Sequence, residues 1–74
     1  MNILKGRSYY AKHGPTGEEW HLIGVSQSRN AVCCAGWPPT MANLSDCTDL
    51  ELAGVLTEQE LTYRTNQFGT DWDN

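Results

Sequence analysis

The chain is poor in the residues on which most small domains rely. Leu, Ile, Val and Phe together fill 13 of 74 positions, a share that in a strongly charged chain would leave the polypeptide unfolded. Lys and Arg number five, too few for the clustered positive surface that a phosphate backbone requires, so direct nucleic-acid binding is not expected. No apolar run reaches the length of a membrane span or of a secretory hydrophobic segment, which predicts a cytoplasmic protein with no membrane association. Three cysteines, two of them adjacent at Cys33 and Cys34, do not make a disulfide framework, and reduced thiols are expected. A phosphate-binding loop, a dinucleotide fingerprint and a serine elbow are also absent.

What the sequence does have is aromatic and acidic. Three Trp and three Tyr cover far more area than aliphatic residues of the same number, so a compact core around Trp20, Trp37, Tyr9 and Tyr10 is expected. The net charge of −4 is modest, and the reading is one folded domain spanning residues 1–74. Its core is thin, because a chain of this size buries only about 60% of the surface its unfolded form exposes. The charge is uneven. Residues 1–29 carry Lys5, Arg7, Lys12 and Arg29 against Glu18 and Glu19, whereas from Asn30 onward Arg64 alone faces seven acids. An acidic half of this kind suits a basic partner surface.

Local patterns place the elements. Residues 7–12, rich in strand formers, run into His13-Gly14-Pro15-Thr16-Gly17, a turn-forming stretch, and 19–26 follow as a central strand. Alternation along this second strand sets Trp20, Leu22 and Gly24 on one face and His21, Ile23 and Val25 on the other. Ala31 to Trp37 reads as a third strand, stopped by Pro38-Pro39, which cannot donate ladder hydrogen bonds. Residues 40–46 read as a helical turn or an ordered loop, and 49–55 as a short edge strand. Thr57 with Glu60 three residues on forms a capping box, and Leu56 with Leu61 occupies the positions of a hydrophobic staple. This predicts a helix from Thr57 to about Asn66 or Gln67, stopped by Gly69, with Leu61, Thr65 and Phe68 on the face toward the sheet. The expected architecture is α+β: a small three- to four-stranded antiparallel meander with one C-terminal helix packed on one face. Residues 70–74 are expected to form an acidic tail, frayed or else docked through the Trp72 ring.

Candidate chemistry is sparse. His13, His21, Cys33, Cys34 and Cys47 are the right atom types for zinc, but no Cys-x-x-Cys or His-x-x-x-His pair is present, so a zinc-stabilised structural module is the alternative and no metal or other cofactor the first expectation. A Cys–His nucleophile would need a cleft that 74 residues rarely supply, so the protein is read as non-enzymatic. Asp46 and Asp49 suit a turn better than an acid–base pair, and Asp46 to Glu51 lacks the register of a calcium loop.

Recognition of another protein remains. Trp37, Pro38, Pro39 and Met41 place a large ring, two rigid residues and a flexible one at a strand exit, a composition suited to an anchor, although Trp37 equally suits closing the core. Asp46, Asp49, Glu51, Glu58 and Glu60 form a second candidate surface that would steer toward a basic partner. The leading expectation is therefore a small acidic adaptor or inhibitor binding a larger protein. A phage-type or mobile-element accessory protein that acts on a host target by charge mimicry fits that profile. A homodimer completed through an exposed strand edge is compatible with it.

Overall fold

A computed structural model of the protein describes residues 2–72. It contains β1 (Arg7–His13), β2 (Glu18–Ser26), β3 (Ala31–Cys34), β4 (Thr40–Asn43), a single 3-10 turn (Leu44–Asp46), β5 (Cys47–Val55) and α1 (Glu58–Phe68). The strands form one antiparallel sheet in the order β4-β3-β2-β1-β5. The α+β class is as the sequence implies, with five strands in place of three or four. The additional strand is β4, in the segment read as a turn or loop, and the edge strand expected over 49–55 starts two residues earlier, at Cys47.

The sheet cannot be flat. Its edge strands β4 and β5 would stand about 19 Å apart across four strand spacings. The chain from Asn43 to Cys47 reaches at most about 14 Å even when fully extended. The sheet therefore curls, and its inner face closes on itself. Tyr9, Ala11, Leu22, Val25 and Val32 are buried there, with Trp20, Cys34, Ala42, Leu44, Cys47, Leu50 and Ile3 packed around them. Two hairpin tips hold the short connection: Gly14 N–H donates to the Asp46 carbonyl at 2.8 Å, and Leu44 N–H to the Asn30 carbonyl at 3.1 Å. The Asn30 side chain adds bonds to Ser45, accepting from its N–H at 2.8 Å.

Strict alternation fails on β2. Between Leu22 and Gly24 the register with β3 slips by one residue, so Leu22 and Val25 both join the inner cluster while Ile23 lies on the outer side. A bulge of this kind bends the strand and re-aims the side chains after it.

On the outer face a second cluster joins Ile23, Cys33, Leu56 and Trp72, with Ala31, Tyr63 and Phe68 beside them. The helix arises as the capping pattern predicts: Glu60 N–H donates to Thr57 Oγ1 at 3.1 Å, and Thr57 N–H to Glu60 Oε1 at 2.9 Å. Gly69, at φ 85°, ends it, a conformation that costs glycine least. Its packing face differs from the one expected. Leu61 and Thr65 are exposed, and the contact is made by Tyr63, Phe68 and the buried Arg64, whose Nη1 donates to the Ile23 carbonyl at 2.9 Å. The aliphatic stem of an arginine covers apolar surface while its head finds an acceptor.

Trp72 completes this layer. Of the two expectations for the tail, frayed or docked through its ring, the structure has the docked one at Trp72, which is only 5% exposed. Its ring packs edge-on to Phe68, its Nε1–H donates to the Phe68 carbonyl, and the Arg29 guanidinium lies 4.4 Å from the ring centroid. A cation over an indole face and a satisfied indole N–H together favour the docked ring. Asp73 and Asn74 lie outside the described residues. The aromatic core expected around Trp20, Trp37, Tyr9 and Tyr10 is corrected accordingly. Tyr9 is buried and Trp20 half-buried, whereas Tyr10 and Trp37 are exposed.

Gly24 marks the closest approach of helix, tail and sheet. A Cβ there would lie 2.6 Å from Cys33 Sγ, 3.0 Å from Trp72 Cε3 and 3.1 Å from Arg64 Cδ. Gly24→Ala is expected to destabilise the fold by about 1–3 kcal/mol through overpacking, and Thr57→Ala by about 1 kcal/mol through loss of the cap. Urea unfolding followed by far-ultraviolet circular dichroism measures both, and a Gly24→Ala midpoint equal to wild type would contradict the packing described.

Candidate functional site

The third strand ends earlier than the apolar run suggests. β3 stops at Cys34, and Ala35 to Pro39 leave the sheet as a corner containing a cis Trp37–Pro38 peptide. Helix α1 holds this corner. The Tyr63 hydroxyl donates to the Gly36 carbonyl at 2.9 Å and accepts from the Gly36 N–H at 3.2 Å, so both backbone polar groups of the residue before Trp37 are satisfied by one side chain. Beyond the tip, Thr40 Oγ1 donates to the Pro38 carbonyl at 3.1 Å. The result is a braced loop carrying a tryptophan that is 94% exposed. Trp37 thus does not close the core.

Of the other candidate partner-binding residues, Pro38 is exposed on this corner and Pro39 half-buried. Met41 is exposed on the edge strand β4, opposite Cys33. Glu58 lines an open groove of about 480 Å³ with Gln59, Thr62 and Tyr63, and so lies beside the side chain that braces Gly36. The acidic residues do not form one strip. Asp46 belongs to the 3-10 turn, and Asp49 and Glu51 to the first half of β5. Glu58 begins the helix beyond the other end of that strand, with about 20 Å of strand between Asp49 and Val55. The Glu60 carboxylate is engaged in the cap.

The five metal-donor candidates are distributed over both faces of the sheet. Cys33 is buried on the helix side, while Cys34 and Cys47 pack on the inner cluster. His13 stacks on Trp20 at 3.8 Å between ring centroids, with its Nδ1 2.9 Å from Thr16 Oγ1. His21 lies against Tyr10 at 5.1 Å. Among the described residues no three His, Cys, Asp or Glu side chains converge as metal ligands. None of the three cysteines is in a disulfide. Burial and the neighbouring Cys47 push the Cys34 thiol up to about 11, and burial and Asp46 raise Cys47. Both shifts favour the neutral thiol over the nucleophilic thiolate.

A second groove, of about 320 Å³, is lined by Glu19, Trp20, His21, Cys34, Ala35 and Thr40. Ala35 and Thr40 flank the corner that carries Trp37. The sequence pattern missed both Tyr63 as the brace and this groove. Tyr63 is the one aromatic inside the helix before Phe68, which marks it as a packing residue without showing what it touches. Among the described residues no helix is long and apolar enough to cross a membrane.

The raised Cys34 value has a stability consequence. The folded state holds its proton at pH values where the unfolded thiol has lost it, so stability from this group is present below the ordinary thiol range and declines as pH rises from there toward about 11. The urea midpoint is expected to fall over that window, and to fall less in Cys34→Ala; equal slopes for the two proteins would contradict the burial of this thiol. Compared with protein-family models, with curated proteins and with solved structures, the chain matches none.

Proposed function

We propose that this protein is a small, acidic, non-enzymatic binding module that engages a larger protein through the Trp37 corner. The observation that supports this reading most directly is a tryptophan 94% exposed on a loop whose backbone is tied to the helix by Tyr63. An aromatic ring held in place before binding loses little conformational entropy on association, and tryptophan is enriched among the residues that dominate interface energetics. Exposed Trp37 contributes nothing to the core, so its size and hydrophobicity find their use outside the chain. Pro38 and Pro39 restrict the loop further, and Met41 and Glu58 extend the surface on either side.

The two grooves beside the corner are open to solvent, a form suited to recognition of a protein surface. With a net charge of −4, the favoured partner carries a basic surface, and the acids of the 3-10 turn, β5 and α1 steer the encounter. An adaptor or inhibitor acting in the cytoplasm, of the kind encoded by phages and mobile elements, is the biological role consistent with this size and charge.

Trp37→Ala tests the reading. The variant is expected to unfold at the wild-type urea midpoint, because the ring buries almost nothing, and to weaken partner binding by about 2 kcal/mol or more, the scale of a hot-spot residue. Partner capture from reduced lysate followed by titration calorimetry with the purified partner makes the comparison, with Leu61→Ala as a surface control. A partner retained equally by Trp37→Ala would overturn the assignment of the corner.

A further inference from the structure

The two hairpins that share β2 are unequal in length. On one side β1 pairs with β2 along Glu18 to Leu22, including Tyr10 with His21, Ala11 with Trp20, Lys12 with Glu19 and His13 with Glu18. On the other side pairing with β3 begins only at Leu22, opposite Cys34, because the chain leaves the sheet at Ala35 to reach Tyr63. Glu18 to His21 therefore form an overhang with one hydrogen-bonding edge unoccupied by any strand among the described residues. In a β-strand alternate residues turn their N–H and C=O groups to the same edge, so this overhang offers about three to four backbone groups to a new neighbour, the Glu18 N–H being held by Thr16 Oγ1 at 3.3 Å. The groove lined by Glu19, Trp20, His21, Cys34, Ala35 and Thr40 lies along this edge, where β3 would have continued.

We infer that the open edge of β2 at Glu18 to His21 accepts an extended, basic segment of the partner protein as an added strand. The inference rests on the protein-binding reading and specifies the form and charge of what is bound. Strand addition supplies affinity through main-chain hydrogen bonds and selectivity through side chains that alternate between the two faces. Here one face offers the exposed Glu19 and His21, with Glu51 on the same row of the sheet opposite Tyr10. The other offers the half-buried Trp20 beside Cys34. The added segment would thus place Lys or Arg toward Glu19 and an apolar residue toward Trp20. Glu18 and Glu19 are both exposed, and Lys12 is the cation paired with Glu19 across the sheet, leaving an acidic excess at the overhang. Trp37, on the corner between the groove-lining residues Ala35 and Thr40, would contact the partner just beyond the added strand.

The test uses the full chain, labelled with nitrogen-15, and a set of acetylated, amidated octapeptides with Arg at alternate positions and Val, Thr, Ile or Tyr between. Amide shifts are expected at Glu19, Trp20, His21, Ala35 and Thr40, together with slowed hydrogen exchange on the overhang. N-methylation of alternate peptide amides is expected to weaken binding about tenfold. Glu19→Gln, at an exposed position that leaves the fold intact, is expected to weaken it about two- to fivefold, and the corresponding Glu peptides are expected not to bind. No shift at millimolar peptide, or shifts that leave the overhang untouched, would overturn the inference. So would concentration-dependent protection of Glu18 to His21 without peptide, which would assign the edge to a second copy of this chain. Binding abolished by Trp37→Ala but indifferent to N-methylation would overturn strand addition while leaving the Trp37 corner as the recognition site.

Discussion

The connection between β4 and β5 is too short to cross a flat sheet, and most of the structure follows from that limit. Three residues, Leu44 to Asp46, join strands at opposite edges. Curling the sheet is the way to satisfy both the chain length and the strand order. The curl lets one face cover itself, so Tyr9, Ala11, Leu22, Val25 and Val32 become buried without a second layer above them. This explains how a chain with so few aliphatic residues still builds a buried interior. The bonds from Asn30 and Gly14 to the 3-10 turn tie both hairpin tips to the point of closure.

The outer face is covered by a layer of mixed character. Helix α1 supplies Tyr63, Arg64 and Phe68, and the tail supplies Trp72, which Arg29 covers from the β2–β3 turn. Neither element is strongly apolar, and each relies on directed contacts: a guanidinium on a carbonyl, an indole N–H on a carbonyl, a cation over a ring. Gly24 permits these groups to approach the sheet, because any side chain there would meet Cys33, Trp72 and Arg64 at once. The layer leaves the overhanging part of β2 and the Trp37 corner uncovered. The exposed surfaces of this protein are thus remainders of how its short strands and single helix are shared out.

Much of this was legible in the residues. The capping box at Thr57 and Glu60, the stop at Gly69 and the turn at His13 to Gly17 are local patterns, and each appears where the chain places it, whereas the third strand ends at Cys34, before the break read at Pro38-Pro39. The helix face was not, because Leu61 is apolar yet exposed, while Arg64 is charged yet buried. Hydrophobicity ranks the two in the opposite order from their burial, and the difference lies in Gly24 and the Ile23 carbonyl, forty residues away in sequence. Docking of the tail through Trp72 was one of two readings open in the sequence, but its partner Arg29, on a distant turn, was not legible there. For the proposed binding surface, the residue types at Trp37, Pro38 and Pro39 suggested an anchor, but a ring that closes the core would have had the same composition.

The sequence by itself determined the class of fold, the helix with its two ends, and the acidic character of the chain, because these depend on backbone preferences and charges that act over a few residues or over the whole chain. Tertiary structure decided which tryptophan is core and which is surface, which cysteine faces the helix, and where a strand edge stays open. Those outcomes depend on a one-residue slip between Leu22 and Gly24 and on the length of β3 relative to β2. Such quantities are set only when distant segments meet, since a single step of register exchanges every side chain between the two faces of a sheet.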